Sequence, residues 1–158
     1  MKIDRINLKL LSTLQREGRI SNQALAERVD LSPSACLERR RKLEQAGVVR
    51  GYRAEVDLKK VCSTITVFTS VTLHDHRQEQ MTQFERAVRA LPEVVECHQV
   101  SGDFDYLLRV VCRDMPHYQT VSNTLTEAGQ GMIELSSHVV MEESKAFSGF
   151  PLMELTAI

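Results

Sequence analysis

Hydrophobic positions in the first part of the chain recur at helical spacing. Ile6, Leu10, Leu11 and Leu14 share one stripe of a segment that Gly18 closes. Because residues three and four apart lie on one face of a helix, this pattern predicts a first helix with one apolar side.

Two more helices are predicted, with a short turn between them. Ser21 can cap a helix whose apolar side includes Leu25, and Ser32 can cap a third helix that runs to Gly47. Pro33 stands at the first position of that third helix, where its missing N–H costs nothing. The short turn and the basic second member of the pair are typical of a helix-turn-helix.

The segment that follows the third helix has the composition of a strand. Residues 48–56 include Gly51 and predict a short β-wing, after which residues 57–62 form a linker. We therefore expect a winged helix-turn-helix over residues 1–56 and a second domain over residues 63–158.

The second half of the chain changes to alternation with a period of two. Ile65, Val67, Val71 and Leu73 alternate with mainly polar neighbours, which predicts a half-buried strand. Further pattern changes predict a helix at 78–91, strands at 94–100 and 106–112, a helix at 115–128 that Gly129, Gln130 and Gly131 end, and a strand at 133–141.

The predicted order of these elements is βαββαβ. That order is the ferredoxin-like arrangement of the α+β class, in which two helices cover one face of a four-stranded antiparallel sheet. The other face needs a cover, so we expect an oligomer.

Charge is divided unequally between the two halves. Residues 1–60 carry 14 of the 20 Lys and Arg but only 8 of the 21 Asp and Glu, so the first part is cationic and the remainder is acidic. Neutralised phosphates and released counterions drive nucleic-acid binding, so this asymmetry favours DNA contact by the first domain.

The third helix places a polar, cationic face opposite its buried side. Arg and Lys can pair with phosphates or guanine edges, Glu can accept from cytosine, and Ser can bond either. Arg40 points toward the core, and we expect its guanidinium to reach outward or to pair with an acid. The candidate DNA contacts are Ser32, Ser34, Glu38, Arg39, Arg41 and Lys42.

A candidate effector site lies at the turn between the second and third predicted strands. Gly102 lets a backbone approach closely, while Asp103 or Asp105 can accept from an ammonium group. Ser136 and His138 lie two apart on the last strand and therefore share one face. These groups suit a free amino acid, although the same turn is also an ordinary hairpin connection.

Enzyme, metal and membrane signals are weak in this sequence. Cys36, Cys62, Cys97 and Cys112 form no CxxC pair, the five histidines lack metal-ligand spacing, and no nucleophile or phosphate-loop motif occurs. No signal-like run and no apolar stretch of about 18 residues is present. We expect a cytoplasmic protein that is not an enzyme and needs no metal or cofactor.

Several motifs in order resemble the Lrp/AsnC family of transcription regulators, over almost the whole chain. The first half contributes GRISN at 18–22, LSP at 31–33, CLER at 36–39, LE at 43–44 and GY at 51–52. The second half contributes ECH at 96–98, VSGDFDYLL at 100–108, DM at 114–115 and VVMEE at 139–143.

The resemblance implies a bacterial regulator that is a dimer formed through its sheets, assembles into tetramers or octamers, and wraps or bends DNA. It also implies modulation by an amino acid such as leucine, lodged near the turn at Gly102 and the last strand. The chain departs from the family at Arg40, where the resemblance implies an aliphatic residue. An alternative hypothesis is a nucleoid-associated architectural protein that binds DNA without an effector.

Overall fold

The computed structural model describes residues 3–128 and 133–156, and it divides into two compact units. One unit, called the head here, contains the chain up to Glu55 together with the tail from Lys145 onward. The other, called the sheet unit, runs from Val56 to Ser144. The predicted helix stop at 129–131 lies outside the described residues.

Three helices form the head, as the spacing of apolar residues predicts. They are α1 (Arg5–Arg16), α2 (Asn22–Arg28) and α3 (Pro33–Gln45). Their buried side chains form one cluster around Leu10, Leu25 and Leu43. Burial of these stripes removes apolar surface from water and holds the three helices together.

Local capping chemistry fixes where these helices begin. The Asp4 carboxylate accepts from the Asn7 N–H, the Ser21 hydroxyl from the Ala24 N–H, and the Ser32 hydroxyl from the Ala35 N–H. Each cap satisfies a backbone donor that the first helical turn leaves free. The predicted Ser21 and Ser32 caps are therefore present.

The end of α3 is a left-handed turn at Gly47. Gly47 has a φ of 69°, its N–H donates to the Glu44 carbonyl, and the Val48 N–H donates to the Leu43 carbonyl, both at 3.0 Å. This pair of bonds is a Schellman motif, which glycine accommodates without a Cβ penalty.

Three predictions for the chain outside the head helices differ from the structure. The predicted β-wing at residues 48–56 forms no strand, because a strand needs a partner to complete its hydrogen bonds and this segment pairs with none of the described strands. The predicted linker contains the short helix α4 (Leu58–Val61). The tail, expected in the second domain, joins the head, where α7 (Leu152–Thr156) lies beside α1.

The sheet unit has the predicted βαββαβ order. Its elements are β1 (Ile65–Leu73), α5 (Gln78–Ala90), β2 (Val94–Gln99), β3 (Tyr106–Cys112), α6 (Met115–Ala128) and β4 (Ile133–Val139). The strands lie side by side as β2-β3-β1-β4, and all three pairs are antiparallel. The ferredoxin-like prediction is therefore confirmed.

Alternation along the strands separates a buried face from an outer one. Val67, Thr69 and Val71 of β1 are fully buried, and Leu108 and Val110 of β3 join them in a core that α5 and α6 complete. Residues at the intervening positions, such as Phe68, lie on the other face and remain partly exposed. Among residues 3–128 and 133–156, every helix is too short or too polar to cross a membrane.

Candidate DNA-binding surface and effector site

Burial of Cys36 and Leu43 determines which side of α3 faces outward. Both side chains are inaccessible within the head cluster. Helical geometry therefore turns the opposite side to solvent. The structure leaves exposed, as predicted, the side chains of Ser34, Glu38, Arg41 and Lys42.

Arg41 is the cation of this face with no ion pair among the described residues. Lys42, in contrast, lies 2.6 Å from the Glu38 carboxylate, and both side chains are largely exposed. The Lys42 ammonium lowers the pKa of Glu38 through this hydrogen bond. Exposed pairs of this kind are weak, so a DNA phosphate could displace Glu38 from Lys42.

Arg39 is engaged inside the head. Its guanidinium donates to the Asp4 carboxylate at 2.7 Å and to the Asn7 side-chain oxygen at 3.0 Å. The Asn7 backbone N–H and then Arg39 hold the pKa of Asp4 below its ordinary value. Arg39 thus fastens the start of α1 to α3, and any phosphate contact by Arg39 would compete with this clamp.

Arg40 pairs with an acid, as the sequence predicts. Its Nε donates to Glu44 Oε1 and to the Tyr52 hydroxyl, both at 3.0 Å, and its guanidinium carbon lies 4.9 Å from the Tyr52 ring centroid. The Tyr52 hydroxyl also donates to Glu44 at 2.8 Å, and this bond is the main cause that lowers the pKa of Glu44. The sequence did not reveal Tyr52 as the third member, because that contact depends on how residues 50–57 fold back.

Ser32 acts mainly as the cap of α3. Its hydroxyl accepts the Ala35 N–H at 3.3 Å and lies 3.2 Å from the Ser34 hydroxyl. The N-terminus of α3 thus presents two adjacent hydroxyl groups where the helix dipole favours an anion such as phosphate.

The turn at the candidate effector site is tied to the end of β1. Gly102 has a φ of 130°, a conformation that favours glycine, and Asp103 is exposed. The Asp105 carboxylate accepts the Leu73 N–H at 2.7 Å and lies 2.9 Å from His76 Nε2. Asp105 therefore anchors the turn, which leaves Asp103 as the freer acceptor for a ligand ammonium.

Ser136 and His138 lie on the outer face of β4, as their spacing predicts. They are paired across to Ser70 and Phe68 of β1, and the Ser136 hydroxyl lies 3.5 Å from His138 Nε2. Leu73, which Asp105 anchors, is three positions along β1 from Ser70, so the turn and Ser136 are separated by about 10 Å along the strand.

A polar network on the inner face of the sheet, buried at Thr69 and Tyr118 and exposed at Ser137, was not predicted. The Tyr118 hydroxyl lies 2.8 Å from the Thr69 hydroxyl and 2.5 Å from that of Ser137. Thr69 stands between Val67 and Val71 at an inward position, which was the available sequence signal. In the described ranges, no three His, Cys, Asp or Glu side chains converge as metal ligands would.

Comparisons with known proteins match both units. Residues 66–149 match the Lrp/AsnC ligand binding domain, and residues 3–50 match a winged helix-turn-helix DNA-binding domain. The leucine-responsive regulatory protein of Escherichia coli K12 is 42% identical over 143 residues, which span 90% of this chain and 87% of that protein.

The chain belongs to the Lrp/AsnC family.

Solved structures agree with this assignment. A transcriptional regulator of Neisseria meningitidis in complex with L-Met is 35% identical, has a TM-score of 0.89 and covers 98% of this chain and 99% of its own. The feast or famine regulatory protein of Mycobacterium tuberculosis, complexed with L-methionine, is 25% identical with a TM-score of 0.85 and covers 94% and 99%.

Membership of the Lrp/AsnC family confirms the predicted function class. The chain is a transcription regulator with a DNA-binding helix-turn-helix and a ligand-binding domain, and the family consists of regulators and not of enzymes. The predicted winged fold class agrees with the matched domain, although the wing itself is not a strand here.

Proposed function

We propose that this chain regulates transcription in response to an amino acid. The outer face of α3 reads operator DNA, and the amino acid binds near the turn at residues 101–105 and the outer face of β4. The observation that carries this proposal is the exposed polar face of α3 around Arg41, in a chain whose second unit matches a ligand-binding family.

The proposed DNA contacts divide by chemistry. Arg41 is proposed to read a guanine edge in the major groove, because it is exposed and has no ion pair among residues 3–128 and 133–156. Ser32, Ser34 and Lys42 are proposed to contact phosphates, and Arg39 to do so where a phosphate replaces its Asp4 partner. Glu38 is proposed to accept from a cytosine amine after it releases Lys42.

The proposed effector is a small α-amino acid such as leucine or methionine. Backbone N–H groups near Gly102 would bind the carboxylate of the amino acid, and Asp103 would accept a hydrogen bond from its ammonium group. Ser136 and His138 would contact the bound amino acid from the outer face of β4. Support comes from two relatives solved with methionine and from relatives named for their response to leucine. Asp105 is proposed to hold the turn in place for this contact.

We further propose that the chain forms a homodimer through the outer face of its sheet and assembles into tetramers or octamers. Partly exposed apolar side chains such as Phe68 support this role. The proposed location is the cytoplasm, in association with the nucleoid. Analytical ultracentrifugation of the full chain, with and without amino acid, tests the assembly.

Arg41→Ala tests the DNA-binding face. With a duplex selected from a random pool by the wild-type protein, we expect a loss of about 1–3 kcal/mol in binding free energy. Fluorescence anisotropy measures it, and Arg77→Ala in the sheet unit removes an equal charge as the control. Unchanged operator affinity for Arg41→Ala would show that a different face reads DNA.

Calorimetric titration with the twenty amino acids tests the effector. We expect heat from leucine, methionine or a close analogue, and weaker binding in Asp103→Asn. Silence toward all twenty, with DNA binding intact, would favour the architectural alternative without an effector.

A further inference from the structure

The tail of the chain returns from the sheet unit to the head. Residues from Lys145 onward belong to the same compact unit as α1, although they follow β4 in sequence. The head is therefore joined covalently to the sheet unit twice, once before β1 and once after β4.

A pair of hydrogen bonds, called the clasp here, fastens this tail to α1. Gln15 Oε1 accepts the Phe150 N–H at 2.8 Å, and Gln15 Nε2 donates to the Phe150 carbonyl at 3.2 Å. One side-chain amide thus satisfies both polar groups of a single residue, in the manner of a β-ladder pair. The clasp is exposed to solvent, so it can open and close without a large desolvation cost.

Close approach at the clasp depends on Gly149. This residue has a φ of 107°, and a Cβ at this position would lie 3.2 Å from Gln15 Cβ and 3.4 Å from Gln15 Oε1. Phe147 packs edge-on against Phe150 with 5.0 Å between ring centroids. The glycine at 149 and the contact between the two phenylalanine rings therefore both favour the tail conformation in which Phe150 meets Gln15.

The chain between β4 and the clasp is short. Val140 still donates to the Thr66 carbonyl of the sheet at 2.9 Å, and the head begins at Lys145. Five residue steps separate Val140 from Lys145 and ten separate it from Phe150, so the segment up to the clasp spans at most about 36 Å when extended. β4, which carries Ser136 and His138, is therefore connected to the clasped tail through one uninterrupted segment of the chain.

We propose that Gln15 is a positioning residue for regulation, because its clasp on Phe150 transmits occupancy of the effector site on β4 to α1 and so to DNA binding. This inference rests on the proposed function. Coupling between the effector site and the DNA-binding face requires a structural element whose conformation depends on both sites. The clasped tail is such an element, because it continues β4 and ends on α1.

Gln15→Met tests the proposal, since methionine keeps the side-chain length but removes both bonds. We expect saturating L-methionine or L-leucine to change wild-type operator affinity by about 5-fold or more, and that of Gln15→Met by less than about 2-fold. Affinity without amino acid stays at the wild-type level. Gln78→Met on α5 is the matched control, and Gln15→Glu, which keeps only the acceptor, gives an intermediate response.

Gly149→Ala disturbs the clasp from the tail and should reduce the response as Gln15→Met does. Hydrogen exchange of the wild-type Phe150 amide supplies an independent readout, because amino acid should change its protection. If either variant fails to fold, this exchange measurement and the other variant decide.

The outcomes separate the two proposals. A responsive wild type with an equally responsive Gln15→Met overturns the clasp while the proposed function stands. A wild type whose operator affinity responds to none of the twenty amino acids overturns both. Weaker DNA binding by Gln15→Met without amino acid, or unchanged Phe150 exchange, shows a merely structural contact and also overturns the inference.

Discussion

The head and the sheet unit are stabilised in different ways. The sheet unit has a core that includes Phe84 and Tyr106, whose ring centroids are 5.0 Å apart, together with aliphatic side chains from β1 and β3. The buried cluster of the head, within the described residues, consists of aliphatic side chains and Cys36. A domain of this size buries a smaller fraction of its surface, so its packing alone gives less stability.

Polar clamps supplement the small core of the head. Arg39 joins α3 to Asp4, and Arg40 joins α3 to Glu44 and Tyr52. A basic recognition helix therefore does not leave all of its cations free to bind DNA. Two of the four consecutive basic residues hold the head together, and Arg41 is the one without an ion pair among residues 3–128 and 133–156.

The largest expected effect comes from substitutions that create a cavity of similar size in each of the two cores. Leu43 of the head and Leu108 of the sheet unit are both fully buried, and Leu→Ala at either should cost about 2–5 kcal/mol of unfolding free energy. We expect Leu43→Ala to unfold the head alone and Leu108→Ala to weaken the sheet unit. Hydrogen exchange of peptides from each unit measures this, and simultaneous loss of protection in both would contradict the comparison.

A smaller effect is expected from the polar network inside the sheet unit. Tyr118→Phe leaves the buried Thr69 hydroxyl without its partner, whereas water can bond the exposed Ser137 hydroxyl, and should cost about 1–3 kcal/mol. Thr69→Val added to Tyr118→Phe should recover part of this loss, because it removes one unsatisfied group. Urea unfolding measures both, and a fully additive double variant would argue against the network.

The smallest effect concerns acid sensitivity. The pKa values of Asp4 and Glu44 are lowered in the folded head, so the stability they add is present above their unfolded pKa values, near 3.8 and 4.5. That stability is lost as the pH falls through the lower folded values.

We therefore expect the head to weaken more than the sheet unit between pH 6 and pH 3 in the same exchange measurement. Asp4→Asn keeps a capping side chain but removes the charge, so it should reduce this pH dependence. An unchanged dependence in Asp4→Asn would assign the acid response to other carboxylates.

Local signals account for most of the fold that the sequence predicts. Ser21, Ser32 and Pro33 mark helix starts through contacts within a few residues, and the alternation around Val67 marks β1 by burial alone. The prediction that the wing is a strand was wrong, because a strand forms only with a partner strand, which no local pattern specifies. The place of the tail depends on Gln15, which is 135 residues from Phe150 in the chain.

The candidate sites show the same limit. The outward side of α3 follows from helical spacing, so Ser34, Arg41 and Lys42 could be placed from the sequence. The ion pair of Arg39 could not be predicted, because it depends on Asp4, the cap of α1, lying next to α3. At the effector turn, the spacing identified Asp105 but not that its carboxylate is engaged by Leu73 and His76.

The Arg40, Glu44 and Tyr52 group bears on attempts to redirect this regulator to new promoters. Helix 33–45 is not a self-contained unit, since the tyrosine that is hydrogen-bonded to its Arg40–Glu44 ion pair lies outside it. A chimera that receives only this helix would keep the Arg40–Glu44 ion pair but lose the Tyr52 hydroxyl and ring that both groups contact. Transplants should therefore extend through residue 52.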